Sequence, residues 1–139
     1  MYIRDVVVEN VKSFRGSQRF RLKGGVNYFV GDNNSGKSTV LEAILFIFDR
    51  PTSDRWAPDR FYAKDADGPT RVQVDIAGDV DDLVAQEKFK KLADFVFEDD
   101  GERVLRLERS SQEREVQQGG KGKKVDVKAV CFWHPQRNQ

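Results

Sequence analysis

Cysteine, histidine and methionine are nearly missing from this chain of 139 residues, which holds one of each. A lone Cys131 excludes an internal disulfide, and with His134 as the only imidazole a zinc cluster lacks ligands. Long apolar runs are missing too. The longest, Ala43–Phe48, is six residues, far short of the ~18 that a membrane helix needs. The start, Met1-Tyr2-Ile3-Arg4-Asp5, has no apolar signal core, so a cytoplasmic protein without a membrane partner is expected. Four Pro and 11 Gly are too few for a collagen-like or low-complexity chain. The length suits one modest domain.

Charge of one sign is also missing, with 24 Lys and Arg against 23 Asp and Glu. The balance is uneven along the chain: residues 1–30 carry +4, residues 31–109 carry −6 and residues 110–139 carry +3. Dispersed basic residues of this kind read as a solvated face.

Ile3–Glu9 has the β-branched run of a strand. Gln18–Lys23 alternates apolar and charged residues as a half-buried strand does, with Lys12–Gly16 as the turn between. After Gly24-Gly25, Val26–Val30 reads as a short strand buried on both faces. Lys37–Phe48 reads as a helix with almost no polar face, hence buried against a sheet, and Pro51 stops it. Residues 51–70 hold three prolines and form a long loop. Arg71–Ile76 alternates as a strand, Val80–Phe97 has helical spacing, and Arg103–Glu108 and Val125–Trp133 read as strands. Between the last two, Gln117–Lys124 is a polar hairpin loop. Cys131 alternates with apolar neighbours and is placed in the core, while His134 is read as a strand-end surface residue. Asp79, Asp81 and Asp82 are expected at the start of the helix from Val80. The order implies an α/β protein with a mixed sheet packed on a buried helix.

Gly31-Asp32-Asn33-Asn34-Ser35-Gly36-Lys37-Ser38 fits G-x-x-x-x-G-K-[ST] in full, a chance match in roughly one chain of this length in 200. Gly31 and Gly36 permit backbone angles and close approaches that a Cβ blocks. The loop amides of Asn33, Asn34 and Ser35 would then form a concave anion site, completed by the positive end of the following helix. Lys37 reaches the β- and γ-phosphates, Ser38 offers a hydroxyl to Mg²⁺, and Thr39 caps the helix or touches the α-phosphate. The expected cofactors are ATP and Mg.

Asn33-Asn34-Ser35-Gly36-Lys37-Ser38-Thr39-Val40-Leu41-Glu42-Ala43 resembles the phosphate loop of the ABC-type ATPases, among them the SMC, RecF and OLD groups. Val8-Glu9-Asn10-Val11-Lys12-Ser13-Phe14-Arg15-Gly16 and Gly25–Gly31 resemble the usual start of such proteins. The resemblance implies that Lys12, Ser13 and Arg15 lie near the nucleotide's phosphates or ribose. It also implies a homodimer or higher oligomer through the ATPase domain, and DNA as a partner of the intact protein. Asp59-Arg60-Phe61-Tyr62 before the strand Arg71–Ile76 resembles the OLD ATPase-nucleases, a group that suggests an endonuclease in phage defence. The alternatives are a non-catalytic nucleotide sensor and an SMC-like DNA-organising ATPase. Trp56, Phe61 and Tyr62 either pack the long loop or stack on a base.

Hydrolysis in these ATPases needs a run of apolar residues ending in Asp-Glu, and a serine-glycine signature loop. Val74-Asp75 is too short and lacks the glutamate, Ala129–Trp133 ends in His134-Pro135, and nothing selects Gln73, Gln86 or Gln136 as a Mg²⁺-contacting glutamine. The expectation is therefore the N-terminal portion of one ATPase domain. Residues 1–50 carry its strands, phosphate loop and helix, residues 51–70 its long loop, and residues 71–139 further strands and a helix.

Overall fold

A computed structural model describes residues 1–11, 14–25, 37–49, 69–115, 123–127 and 129–136. Strands β1 (Tyr2–Val11) and β2 (Phe14–Arg21) come first, followed by helix α1 (Lys37–Phe48) and strand β3 (Arg71–Ala77). Helix α2 (Val80–Ala85) runs into a 3-10 helix, Glu87–Phe95. Four strands close the order: β4 (Phe97–Asp99), β5 (Glu102–Glu115), β6 (Lys123–Val127) and β7 (Cys131–Trp133). The sheet order is β2-β1-β3-β5-β4, with β6 and β7 also paired to β5. Every ladder among the described residues is antiparallel. Val26–Val30, the segment read as a strand buried on both faces, lies outside them, as do Trp56, Phe61 and Tyr62.

Side chains alternate across a strand, and here the alternation separates two chemistries. Val6 and Val8 of β1, Val72 and Val74 of β3, and Leu107 of β5 point to one face, where Val40, Ala43, Phe46 and Ile47 of α1 cover them. Phe20 of β2 packs at the edge of this cluster. Burying such side chains stabilises the layer by about 1.5–3 kcal/mol each.

Helix α1 has the extent that its sequence implies, but it is not buried all round. Leu41, Leu45 and Phe48 are 58%, 44% and 60% exposed. They lie at i, i+4 and i+7, one stripe of the helix surface, and the sheet reaches only the opposite stripe.

Three further expectations are corrected. The single helix over Val80–Phe97 breaks at Gln86, whose backbone is extended. No residue of Glu87–Phe95 is fully buried, while Phe97 is buried and pairs with Val104, so strand pairing takes the end of the segment. The single strand over Val125–Trp133 is two strands. Ser111 pairs with Val127 but Glu108 with Cys131, so a step of three residues along β5 matches a step of four on the partner. That extra residue flips the alternation. Cys131 is consequently exposed rather than in the core. His134 follows β7 and meets the Phe97 ring edge-on at 5.6 Å.

The start of β5's second half ties down two chain ends. Arg109 donates from Nη1 to the carbonyls of Phe46 (2.7 Å) and Asp49 (2.8 Å), where α1 ends. Two residues on, the Ser111 Oγ accepts the Thr70 N–H (3.2 Å) and the Ser111 N–H donates to the Thr70 carbonyl (2.9 Å). The Thr70 hydroxyl in turn donates to the Asn10 carbonyl at 2.6 Å.

Candidate nucleotide site

The phosphate-loop motif opens α1. Lys37 and Ser38 are the first two residues of the helix, and Thr39 is buried in its first turn. Gly31, Asn33, Asn34, Ser35 and Gly36 lie outside the described residues, as do Lys12 and Ser13. Arg15 is the second residue of β2. The structure brings the helix start and the hairpin onto one sheet through β1, which pairs with β2 and packs under α1.

The hairpin that carries Lys12, Ser13 and Arg15 is held by Asn10. That residue has φ 56°, a left-handed conformation in which asparagine is enriched. Its Oδ1 accepts the Gly16 N–H at 2.9 Å and its Nδ2 donates to the Pro69 carbonyl at 3.2 Å. Gly16 has φ 78°, open to glycine at little cost.

The electrostatics of α1 suit an anion at its start. Its first turn contains no acidic residue, so the positive potential of the amide end is not cancelled there. Its last turn contains no basic residue, and Arg109 from β5 supplies the missing cation at that end. These features fit an anion such as a phosphate group at the head of α1.

The sequence's candidates for a Mg²⁺-contacting glutamine are not at this site. Gln73 points to the face of the sheet opposite α1 and donates to Glu108 Oε1 at 3.0 Å. Gln86 and Gln136 are exposed. Asp79 is the N-cap of α2 but makes no side-chain cap hydrogen bond, and Asp81 and Asp82 sit in the first turn. With Glu102, these residues line a shallow cleft whose negative charge opposes a phosphate.

Of the dispersed basic residues expected on a solvated face, Arg19 and Arg21 are 50% and 43% exposed, but Arg4 is buried. Arg21, Asp5, Asp75 and Arg106 stand side by side across β2, β1, β3 and β5. Arg4, Asp5 and Asp75 are 1%, 1% and 2% exposed. The β1–β3 register shifts between Ile3 and Asp5, and this irregularity lets Arg4 reach in beside Asp5. Its Nη2 touches Asp5 (2.9 Å), Asp75 (3.2 Å) and Asp99. Those three carboxylates lie close enough to hold a metal ion, but the Arg4 guanidinium occupies the position between them. Arg19 pairs with Asp5 at 2.7 Å, and Arg106 grips Asp75 through Nε and Nη2 at 2.6 and 2.7 Å. The Arg106 guanidinium also lies over the Phe97 and Trp133 rings at 5.1 and 4.9 Å, a cation–π arrangement. Burial by itself raises the Asp5 carboxyl pKa. The Arg19 hydrogen bond and the charges of Arg19, Arg4 and Arg21 outweigh it and hold that pKa below the ordinary value.

Arg109 and the Arg4 cluster are the residues that sequence reasoning missed. Arg4 stands 95 positions from Asp99 and 71 from Asp75, and no local spacing reveals such partners.

An apolar helix opening on Lys37-Ser38-Thr39 and laid on one face of a sheet is the arrangement that a phosphate-loop nucleotide-binding lobe requires. The chain belongs to the AAA domain family, whose sequence profile matches residues 5–132. It is 39% identical over 46 residues to the DNA replication and repair protein RecF of Clostridium botulinum (strain Eklund 17B / Type B), a stretch covering 33% of this chain and 12% of that protein. It is 36% identical over 47 residues to RecF of Francisella tularensis subsp. mediasiatica (strain FSC147), covering 34% and 13%. The matched stretch is thus about an eighth of the length of these relatives. A solved structure, from structural biochemistry of ATP-driven dimerization and DNA-stimulated activation of SMC ATPases, superposes with a TM-score of 0.51. The superposition covers 93% of this chain and 70% of that one at 18% identity, a similarity of fold. Among the described residues, no helix is long and apolar enough to cross a membrane.

Proposed function

We propose that this chain is the ATP-binding lobe of an ABC-type ATPase of the RecF and SMC kind, which in the whole protein acts on DNA. The observation that carries the reading is the complete phosphate-loop motif of the sequence, Gly31–Ser38, whose last two residues, Lys37 and Ser38, are the first of α1. Gly31, Asn33, Asn34, Ser35 and Gly36 cradle the phosphates with backbone amides, and Lys37 neutralises the β- and γ-phosphates. Ser38 holds Mg²⁺, Thr39 supports the α-phosphate end, and Lys12, Ser13 and Arg15 approach from the hairpin. Mg²⁺ supplies charge neutralisation on the phosphate oxygens.

The RecF likeness supports DNA repair or replication as the setting, and the SMC likeness supports a dimer closed by ATP. The finer reading, an OLD-type nuclease in phage defence, has its support in Asp59-Arg60-Phe61-Tyr62 alone. The 139 residues contain no apolar run ending in Asp-Glu, so the chain by itself binds nucleotide without turning it over. Titration of Mg-ATP against wild type and Lys37→Ala tests the site. A loss of about tenfold or more is expected, since charge-assisted contacts to phosphate are the strong ones. Equal affinities would overturn the phosphate-loop reading, and sustained phosphate release by the pure chain would overturn the reading of binding without turnover.

A further inference from the structure

We infer that Arg109 is a positioning residue for nucleotide, setting where α1 stands along the sheet and hence where its phosphate-binding end lies. The inference rests on the phosphate-loop reading and deepens it.

The contacts that hold α1 to the sheet are mostly apolar: Val40, Ala43, Phe46 and Ile47 against Val6, Val8, Val72, Val74 and Leu107. Apolar burial is non-directional. It fixes which face of the helix is down, but it resists sliding along the axis only weakly. Sliding matters here, because one residue of helix is about 1.5 Å and the helix start is where phosphate is met.

Arg109 supplies the directional contact. It sits on the α1 face of β5, is 7% exposed, and holds the Phe46 and Asp49 carbonyls with one nitrogen. Its guanidinium also lies 5.7 Å from the Phe46 ring centre. A buried cation is costly unless hydrogen-bonded, and the negative end of a helix is a fitting partner. The two carbonyls are three residues apart, so a shift of the helix by one residue breaks both bonds. The clamp at one end of α1 therefore locates the amides at the other.

The test measures Mg-ATP and AMP affinities of the full chain for wild type, Arg109→Gln, Arg109→Lys and Lys37→Ala, each where circular dichroism shows it folded. A purely structural role weakens both nucleotides alike, whereas mispositioning weakens the one with more phosphates. Arg109→Gln is expected to weaken ATP about tenfold, the loss of roughly one charge-assisted phosphate contact, and AMP less than about twofold. Arg109→Lys keeps the charge and is expected to restore part of the ATP-to-AMP ratio, to within about threefold of wild type. A wild-type ratio in Arg109→Gln overturns the inference. Should that variant not fold, Arg109→Met, which keeps the buried stem and removes every donor, takes its place, and a wild-type ratio there overturns the inference. Loss of ATP binding in Lys37→Ala with unchanged ratios at position 109 sinks this inference alone, while unchanged binding in Lys37→Ala sinks the phosphate-loop reading beneath it.

Discussion

The sheet shows one face to α1 and keeps an unlike face on its other side. Toward α1 it presents valines and Leu107, with Phe46 and Ile47 closing the layer. Away from α1 the same strands present Asp5, Asp75, Arg106, Arg71, Glu9 and Glu108, joined as ion pairs across the strands. The apolar face gains its stability from area, and each of its contacts is replaceable. The charged face is specific: Arg4 satisfies three aspartates at once, and a slip of one residue in β1 or β3 would separate them. Such networks add little net stability over apolar packing, yet they are costly to break in part.

Substitutions sharpen the contrast. The largest effect is expected from Arg4→Met, which strips the central cation from buried Asp5 and Asp75. Breaking a buried pair costs about 3–5 kcal/mol, and the value here is expected near the lower end because Arg19 and Arg106 remain. Urea unfolding at neutral pH reads it, and an unchanged midpoint would mean that the cluster contributes nothing.

Acid tests the same face without mutation. Because the folded-state pKa of Asp5 is lowered, its contribution is present above the unfolded value, about 3.9. That contribution is lost as pH falls through the lower folded value. Stability is expected to decline below about pH 4, and less so in Asp5→Asn.

On the apolar face, Ile47→Val removes one buried methylene and is expected to cost about 0.5–1.5 kcal/mol, independent of salt. A similarly small effect is expected for Arg21→Gln. Arg21 is 43% exposed and reaches buried Asp5 from the solvent side; water, Arg19 and Arg4 still face that carboxylate after the substitution, so a loss of about 1 kcal/mol, falling in high salt, is expected. A larger loss for Arg21 than for Arg4 would reverse the assignment of the buried centre.

The apolar face was legible in the sequence because period is local. Val72, Val74 and Phe20 alternate visibly, and Lys37–Phe48 showed its helix from end to end. The phosphate-loop motif can be proposed from sequence for another reason, since Gly31–Ser38 is one contiguous stretch. The charged face was not legible, because alternation marks Asp5 and Asp75 as facing away from the core without saying whether another strand's arginine waits there. The break at Gln86 escaped because apolar spacing in Val80–Phe97 continues through it. The exposed stripe Leu41, Leu45 and Phe48 escaped because composition shows what a helix can bury and not how much of it one sheet covers.

The anchoring of Asp49 and Thr70 on neighbouring, same-side positions of β5 has an engineering consequence. The polypeptide departs and re-enters through a single doorway, guarded by Arg109 on one post and Ser111 on the other. The contacts of Asp49 and Thr70 hold the chain at both posts, and the entropic cost of closing a longer chain between two fixed points grows only slowly. Doubling such an excursion costs about 0.6 kcal/mol. On closure entropy alone, a reporter grafted between the two posts is expected to leave the unfolding free energy of the lobe within about 1 kcal/mol of its starting value.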